Sequence, residues 1–144
     1  MDNIAPNLWM GGKPTPEACA RFDAIFLCAS ELQRILPCSN KVFGVPLEDW
    51  KPTRDELKAA LLAAKKVRDL RRAGKNVLVT CAMGINRSGF VTALALVMEG
   101  VSADDAIKMV RKRRKLPGDA KALSNEHFVE LVYRLERARQ GVHG

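Results

Sequence analysis

The residues best suited to chemistry lie in one short segment, residues 77–89. Cys81 is followed six positions later by Arg87 and then by Ser88, and an apolar run, 77–79, precedes the cysteine. This order predicts a strand, a tight loop and the start of a helix. The first N–H groups of a helix have no intrahelical partner and its dipole is positive at that end, so such a loop attracts anions. A thiol placed there favours its thiolate form, and we therefore predict a phosphate-binding loop with a cysteine nucleophile.

A second match to the same Cys-x5-Arg spacing shows that spacing alone is a weak signal. It runs from Cys28 to Arg34, contains no glycine and includes Glu31, whose carboxylate would repel a phosphate. The first loop instead contains Gly84, which can adopt a positive φ without strain, and no acidic side chain. We therefore predict that Cys81 is the nucleophile and that Cys28 is a buried strand cysteine.

The segment from Cys81 to Ser88, with Gly84 three positions after the cysteine, matches the Cys-x-x-Gly-x-x-Arg-Ser signature of cysteine-dependent phosphatases. The layout of residues 8–135 resembles the compact dual-specificity branch of the protein tyrosine phosphatase superfamily. That family usually has a histidine before the cysteine, where this chain has Thr80. The histidine helps to order the loop, and a threonine hydroxyl could supply part of its hydrogen bonding.

The loop is expected to hold phosphate through its backbone and through one side chain. Arg87 can grip two phosphate oxygens at once with a planar fork that lysine cannot match. The resemblance implies that Ser88 hydrogen-bonds the thiolate and helps it to leave. The N–H groups that would cradle the remaining oxygens belong to Ala82, Met83, Gly84, Ile85, Asn86 and Arg87.

A phosphate monoester also needs an acid that protonates the leaving oxygen. We predict Asp49 for this role, because it follows a predicted strand, where α/β sheets place site residues. Dual-specificity phosphatases place their acid at a similar distance before the nucleophile. Glu48 is the fallback, and Asp119, in a later loop, is a further alternative. Asn125 corresponds to a polar residue that the family uses late in its site.

Hydrophobic periodicity and turn residues predict a single α/β domain over residues 1–144, with frayed tails at 1–6 and 140–144. We expect a central mixed, mostly parallel sheet of four to five strands, flanked by about five to six helices. The predicted strands are 8–10, 24–28, 41–47 and 77–79. The predicted helices are 14–22, one from a Thr53 capping box to Gly74, 88–99, one after Ser102 and one from Ser124. The first strand is expected at the edge of the sheet, and residues 30–36 are ambiguous.

Composition excludes several classes of protein. The chain has 4 cysteines without a Cys-x2-Cys pair and 2 histidines, both near the C-terminus. We therefore expect no metal site, no cofactor and no disulfide framework, and a reducing cytoplasm as the location. No apolar run reaches the 18 or more residues that span a membrane, and the N-terminus lacks the pattern of a secretory signal. No membrane association is predicted.

The net charge of +8 suits a phosphorylated or polyanionic partner, and residues 111–115 form a run of five cations. The favoured partner is a phosphorylated protein, hydrolysed at phosphotyrosine and, through a shallow pocket, at phosphoserine and phosphothreonine. An alternative is an RNA 5′-triphosphatase or diphosphatase, because residues 84–89 are similar to the Gly-x-Asn-Arg-Thr-Gly of that branch and the charge suits RNA. A third hypothesis, suggested by Thr80, is a weakly active phosphate-binding module.

Overall fold

The fold is built on a five-stranded sheet. The computed structural model describes residues 1–33 and 36–143. Its strands are β1 (Asp2–Ala5), β2 (Leu8–Gly11), β3 (Ala24–Ala29), β4 (Val42–Leu47) and β5 (Val77–Thr80). Their order across the sheet is β1-β2-β5-β3-β4, with β1 antiparallel to β2 and every other pair parallel. The prediction of a mixed, mostly parallel sheet is confirmed, and β4, which contains Pro46, lies at the edge opposite β1.

Five helices accompany the sheet in the described residues: α1 (Ala18–Arg21), α2 (Arg54–Arg72), α3 (Arg87–Met98), α4 (Ala103–Arg113) and α5 (Glu126–His143). The predicted start of α2 is confirmed, because Thr53 and Glu56 bond each other's backbone N–H groups in a capping box. Ser102 likewise caps α4 by accepting the N–H of Asp105. Every residue of α3 except Met98 is buried, so the helix that reads as apolar on all sides is the central one.

The two ends of the chain differ from the prediction of frayed tails. Residues 2–5 form β1, the side chain of Ile4 is 1% exposed, and the Asn3 amide donates to Ala5 O and Leu8 O across the turn. The frayed tail predicted at 1–6 is therefore wrong, and β2 is an inner strand rather than an edge. Similarly, α5 runs to His143, so residues 140–143 of the predicted tail are helical, and residue 144 lies outside the described part of the chain.

Some local boundaries also differ. The helix predicted at 14–22 shortens to α1, preceded by turns in which Thr15 O and Pro16 O each accept one N–H. In the ambiguous segment 30–36, a 3₁₀ turn covers Ser30–Leu32, and residues 34–35 lie outside the described part of the chain. The last helix begins two residues later than Ser124.

A disulfide joins Cys19, at α1, to Cys38, just before a 3₁₀ turn at Ser39–Lys41. The cysteines were expected to form no disulfide framework, and this disulfide corrects that expectation; the expected reducing compartment loses that support. No local Cys-x2-Cys spacing marks this pair, because the two residues are 19 positions apart and meet only in the fold. Closing a loop of this length stabilises a protein by about 3 kcal/mol in the chain-entropy account.

The parallel strands place their carboxyl ends at one edge of the sheet. Gly11 ends β2, Glu31 follows β3, Asp49 follows β4 and Cys81 follows β5. Residues far apart in sequence are thereby brought to a common edge, where open α/β sheets bind ligands. Among the described residues, no helix is both long and apolar enough to cross a bilayer.

Candidate active site

The loop between β5 and α3 requires glycine at its centre. Gly84 has a φ of +68°, and a Cβ built on it would lie 2.7 Å from the carbonyl carbon of Gly11 and 2.6 Å from Arg114. A side chain there would meet both an unfavourable backbone conformation and the backbone of β2. Gly84, which distinguishes this loop from the Cys-x5-Arg segment that begins at Cys28, is therefore required for steric reasons.

The carbonyl groups of this loop point outward, because each accepts a hydrogen bond from outside it. Arg114 donates from Nε to Gly84 O at 3.0 Å and from Nη2 to Met83 O at 3.0 Å. The other acceptors are Ala82 O from Lys13 N, Ile85 O from Leu123 N and Asn86 O from Phe90 N. This pattern turns the opposite side of each peptide unit, the N–H, toward the interior of the loop.

The backbone N–H groups of residues 82–87 have no hydrogen-bond partner among the residues that the structure describes. Cys81 is buried at the end of β5, and its Sγ lies 3.2 Å from the hydroxyl of Ser88, which is also buried. Asn86 is the N-cap of α3, yet its side chain makes no cap hydrogen bond. The first N–H groups of α3, where the helix dipole is positive, therefore carry no protein acceptor among the described residues.

Arg114 is held in place by the first strand. The Asp2 carboxylate accepts from Arg114 Nη1 at 2.8 Å and from the Lys115 N–H at 2.9 Å. The pair is largely shielded from solvent, with Arg114 anchored to the loop carbonyls on its other side. Asp2 and Arg114 therefore hold the conformation of the candidate phosphate-binding loop, a role for which the sequence carried no signal beyond a run of cations.

Arg87 is 8% exposed and fixed by two neighbours. The Glu31 carboxylate accepts from its Nη1 at 2.5 Å and from its Nη2 at 2.7 Å, and Leu47 O accepts from Nη1 at 3.1 Å. Three of the five guanidinium N–H groups are thereby occupied. The edge formed by Nε–H and the second Nη2–H remains free, and such an edge can bind two oxygens of one anion side by side.

The carboxylate of Glu31 carries its charge across a wide pH range. Hydrogen bonding to Arg87 lowers the pKa of Glu31 to about 2. The sequence argument treated Glu31 only as a residue that would repel phosphate in the Cys28 segment. In the fold it lies behind Arg87 and fixes that side chain, so it is a residue that sequence reasoning missed.

Replacing Glu31 by glutamine should lower kcat/KM for an aryl phosphate about tenfold, mainly through KM, because Arg87 loses a charged partner that orients it. Because the pKa of Glu31 is lowered, its carboxylate is charged and pairs fully with Arg87 above about pH 4.5. This pairing is lost only as the pH falls through about 2. The defect should therefore be constant between about pH 5 and pH 8, measured as a pH–rate profile.

Glu130→Gln is the matched control, since Glu130 pairs with Arg137 on the exposed surface of α5. It should leave kcat/KM unchanged. An equal loss in both variants, or no loss in Glu31→Gln, would contradict the positioning role of Glu31.

Asp49 is tied to the loop by two amides. Asn86 Nδ2 donates to its Oδ2 at 3.0 Å, and Asn125 Nδ2 donates to its Oδ1 at 2.9 Å. Asn125 N–H in turn donates to Asn86 Oδ1 at 3.0 Å, and Ser124 donates to the same oxygen. The structure thus brings Asp49, Asn86 and Asn125 together, and Asn125, assigned only by resemblance, contacts the candidate acid directly.

The other predicted side chains lie differently. The hydroxyl of Thr80 donates to Phe26 O of β3 at 2.9 Å, so its proton is not available to the loop as the sequence argument allowed. Glu48 accepts from the Ser30 hydroxyl at 2.6 Å and makes no contact with Asn86 or Asn125 among the described hydrogen bonds. Cys28 is fully buried in β3, as predicted. Burial is the main cause that raises the pKa of its thiol, and the nearby Cys81 adds to the rise. Cys28 therefore stays a thiol.

Exposed apolar side chains flank the site. Trp50 is 69% exposed with its ring edge-on to His127 at 5.0 Å, and Met83 of the loop is 67% exposed. A shallow cavity of about 430 Å³ is lined by Asp49, Trp50, Asn86, Ser124, Asn125, Glu126 and His127. Trp50 is thus a wall of the site and not part of the core.

The basic run at 111–115 is partly committed to the fold. Arg111 donates to Ala122 O and Leu123 O, and Arg114 to the phosphate-binding loop. The other three cations of the run, Lys112, Arg113 and Lys115, are exposed and form no ion pair among the described residues. In the described residues, no group of three His, Cys, Asp or Glu side chains is arranged to hold a metal ion.

Comparisons with known proteins agree with this geometry. Human protein tyrosine phosphatase type IVA 3 is 29% identical over 79 residues, which are 55% of this chain and 46% of that protein. The chain therefore matches about half the length of this relative. The structure of Tk-PTP in its active form is 26% identical, with a TM-score of 0.76 over 94% of this chain and 95% of that chain. Human DUSP28, at 24% identity, shares the fold with a TM-score of 0.79 over 98% of this chain and 99% of that chain.

The family model described as the dual specificity phosphatase catalytic domain matches residues 9–138. That stretch begins within β2, ends within α5 and includes every candidate site residue described above except Asp2. With the strand–loop–helix geometry around Cys81, it shows that the chain belongs to the family of dual-specificity phosphatase catalytic domains.

Proposed function

We propose that this protein hydrolyses phosphate monoesters on protein substrates through a phosphocysteine intermediate. The observation that carries the proposal is the loop of unpartnered N–H groups at 82–87 around the buried sulfur of Cys81. The free edge of Arg87 adds two further donors. Together these groups suit a dianionic phosphate and, more strongly, the charge that develops on its equatorial oxygens.

In the first step the Cys81 thiolate attacks phosphorus in line with the leaving oxygen. The S–P bond forms as the P–O bond breaks, and the proton of Asp49 passes to the leaving oxygen. Asn86 and Asn125 hold the Asp49 carboxyl beside the loop for this transfer. The product alcohol or phenol departs and leaves a phosphocysteine.

In the second step water attacks the phosphocysteine, and its proton passes to the Asp49 carboxylate. The P–S bond breaks, inorganic phosphate forms and the thiolate is restored. The hydroxyl of Ser88, 3.2 Å from the sulfur, donates to the thiolate as negative charge returns to it. The cycle ends with Asp49 protonated and ready for the next substrate.

The shape of the site favours both tyrosine and shorter side chains. Trp50 and Met83 stand at the rim as exposed apolar walls, and the cavity beside Asp49 is open rather than a deep slot. An aromatic ring gains from such walls, while phosphoserine and phosphothreonine can still reach the loop. We therefore propose dual specificity with a preference for phosphotyrosine.

RNA 5′-triphosphatase activity is the second candidate, supported by the exposed cations Lys112, Arg113 and Lys115 and by the similarity at 84–89. The third candidate is a phosphate-binding module with weak activity. A panel of phosphotyrosine, phosphoserine and phosphothreonine peptides, a phosphoinositide and 5′-triphosphorylated RNA separates them. Highest kcat/KM on the phosphotyrosine peptide supports the proposal. Preference for RNA or for the phosphoinositide, or binding without turnover, would overturn it.

Asp49→Ala should lower kcat/KM about 10²-fold on phenyl phosphate, a poor leaving group, and clearly less on p-nitrophenyl phosphate. The reason is that only a basic leaving oxygen needs a proton before it departs. The measurement is kcat/KM for the two esters in parallel, because this ratio reports the first step and not the hydrolysis of the phosphocysteine.

Asp119→Ala serves as the control for Asp49→Ala, because Asp119 is an exposed loop carboxyl that the sequence left as an alternative. It should keep wild-type rates on both esters. If Asp119→Ala instead shows the leaving-group dependence, the acid has been wrongly assigned. Unchanged rates in Asp49→Ala would favour the RNA phosphatase hypothesis.

A further inference from the structure

An apolar groove lies outside the candidate active site, between the outer face of α2 and the helices α3 and α5. Its cavity of about 450 Å³ has an apolar floor formed by Leu57, Leu61, Leu62, Met98 and Leu135. None of these side chains contributes to the loop at 81–87 or to the Asp49 network. The groove is therefore a separate feature of the surface.

Leu62 projects from the centre of this surface. It is 60% exposed, whereas the other large exposed apolar side chains in the described residues are at the N-terminus (Met1) or beside the candidate site (Trp50 and Met83). It also lines a second cavity of about 280 Å³, between α2 and β4, where Phe43 lies under Lys66. Leu62 thus forms a ridge between two apolar clefts, an arrangement suited to interdigitation with a partner's side chains.

The rim of the groove is positive. Arg54, Lys58 and Lys65 line it and are exposed, and no acidic side chain lines it. None of the three forms an ion pair with another residue in the described ranges. The nearby Glu56 is occupied by the backbone N–H groups of Glu48 and Thr53 in the cap of α2. Three cations therefore surround an apolar floor, and no described ion pair neutralises them.

We propose that this groove is a docking site for an acidic amphipathic segment of a partner protein. Leucine-like side chains of the segment would enter the clefts on either side of Leu62, and its carboxylates would pair with Arg54, Lys58 and Lys65. The proposal is independent of the phosphatase chemistry, because the groove shares no residue with the candidate site. Docking away from the catalytic loop would raise the local concentration of a tethered phosphoprotein at that loop.

The positive rim and the shape of the groove favour this occupant over two others, a second copy of the chain and a lipid bilayer. A second copy of the chain carries the same cationic rim and a net charge of +8, so the two grooves would repel each other. A bilayer offers anionic headgroups but a flat surface, whereas this surface has a ridge between two clefts. An inserting peptide with acidic and apolar side chains matches both the shape and the charge.

The test uses a fluorescein-labelled peptide of about 16 residues in which leucines recur every three to four positions and glutamates fill the rest. Fluorescence anisotropy should show saturable binding to the wild-type protein. Leu62→Glu, and separately Lys58→Glu combined with Lys65→Glu, should each raise Kd about tenfold or more. The expected rate on a small aryl phosphate is unchanged in both variants, which also reports that they are folded.

Lys75→Glu combined with Lys108→Glu is the charge-matched control, since both lysines are exposed and neither lines the groove. It should bind the peptide with the wild-type Kd. Equal weakening in the control and groove variants, no binding to the wild type, or binding of a peptide with lysine in place of glutamate would overturn the proposal. The proposal would also be overturned if Leu62→Glu abolished self-association of the protein, or its sedimentation with phosphatidylserine vesicles, without weakening peptide binding.

Discussion

Replacing Cys81 by serine should abolish phosphate release from p-nitrophenyl phosphate, with a loss of kcat of at least about 10³-fold. A serine side chain is close to cysteine in size and can keep the hydrogen bond to Ser88. Its hydroxyl, however, stays protonated at a pH at which a thiol ionises. The cradle of N–H groups at 82–87 and the free edge of Arg87 are untouched. The variant should therefore still bind a phosphotyrosine peptide, which isothermal calorimetry can measure.

Cys28→Ala is the control for this substitution. Cys28 begins the second Cys-x5-Arg match, and it is fully buried in β3 next to the loop strand. Its removal should lower the free energy of unfolding while kcat of the folded enzyme stays near the wild-type value. Substantial turnover by Cys81→Ser would show that the nucleophile is another group.

Arg87→Lys should lower kcat/KM about 10²-fold to 10³-fold. An arginine at this position binds Glu31 and Leu47 O with one part of its fork and leaves a second edge for phosphate. A lysine ammonium is a single point of charge with three donors, so it cannot keep both the supporting contacts and a bidentate grip. The loss should fall on kcat as well as on KM, because the grip strengthens in the transition state.

Two comparisons separate this effect from a general loss of charge or fold. Arg137→Lys, on the exposed face of α5 opposite Glu130, should leave kcat/KM unchanged. In the double variant Arg87→Lys with Glu31→Gln, the two losses should not add, because Glu31 acts through the side chain already removed. Full additivity would contradict the role of Glu31 as the support of Arg87.

Much of the fold could be predicted from local patterns. The capping box at Thr53, the apolar α3 and the alternation of strands with helices are each determined by neighbours in the chain. The conformation of the loop at 81–87 was predicted for the same reason, since a strand, a glycine and a helix start must be consecutive to form it. The N-terminus was misjudged because β1 is stabilised by pairing with β2 and by burial of Ile4, not by its own sequence pattern.

The sequence by itself therefore determined the strand, loop and helix start at residues 77–89, because Cys81, Gly84, Arg87 and Ser88 lie within a few residues of one another and need only local geometry. Only the tertiary structure decided which distant groups support that loop. Strand order brings Glu31 behind Arg87, and β1 brings Asp2 to Arg114, which orients the loop carbonyls. The Cys19–Cys38 disulfide has the same origin. Pairings across the sheet depend on topology and packing of the whole chain, and no local spacing encodes them.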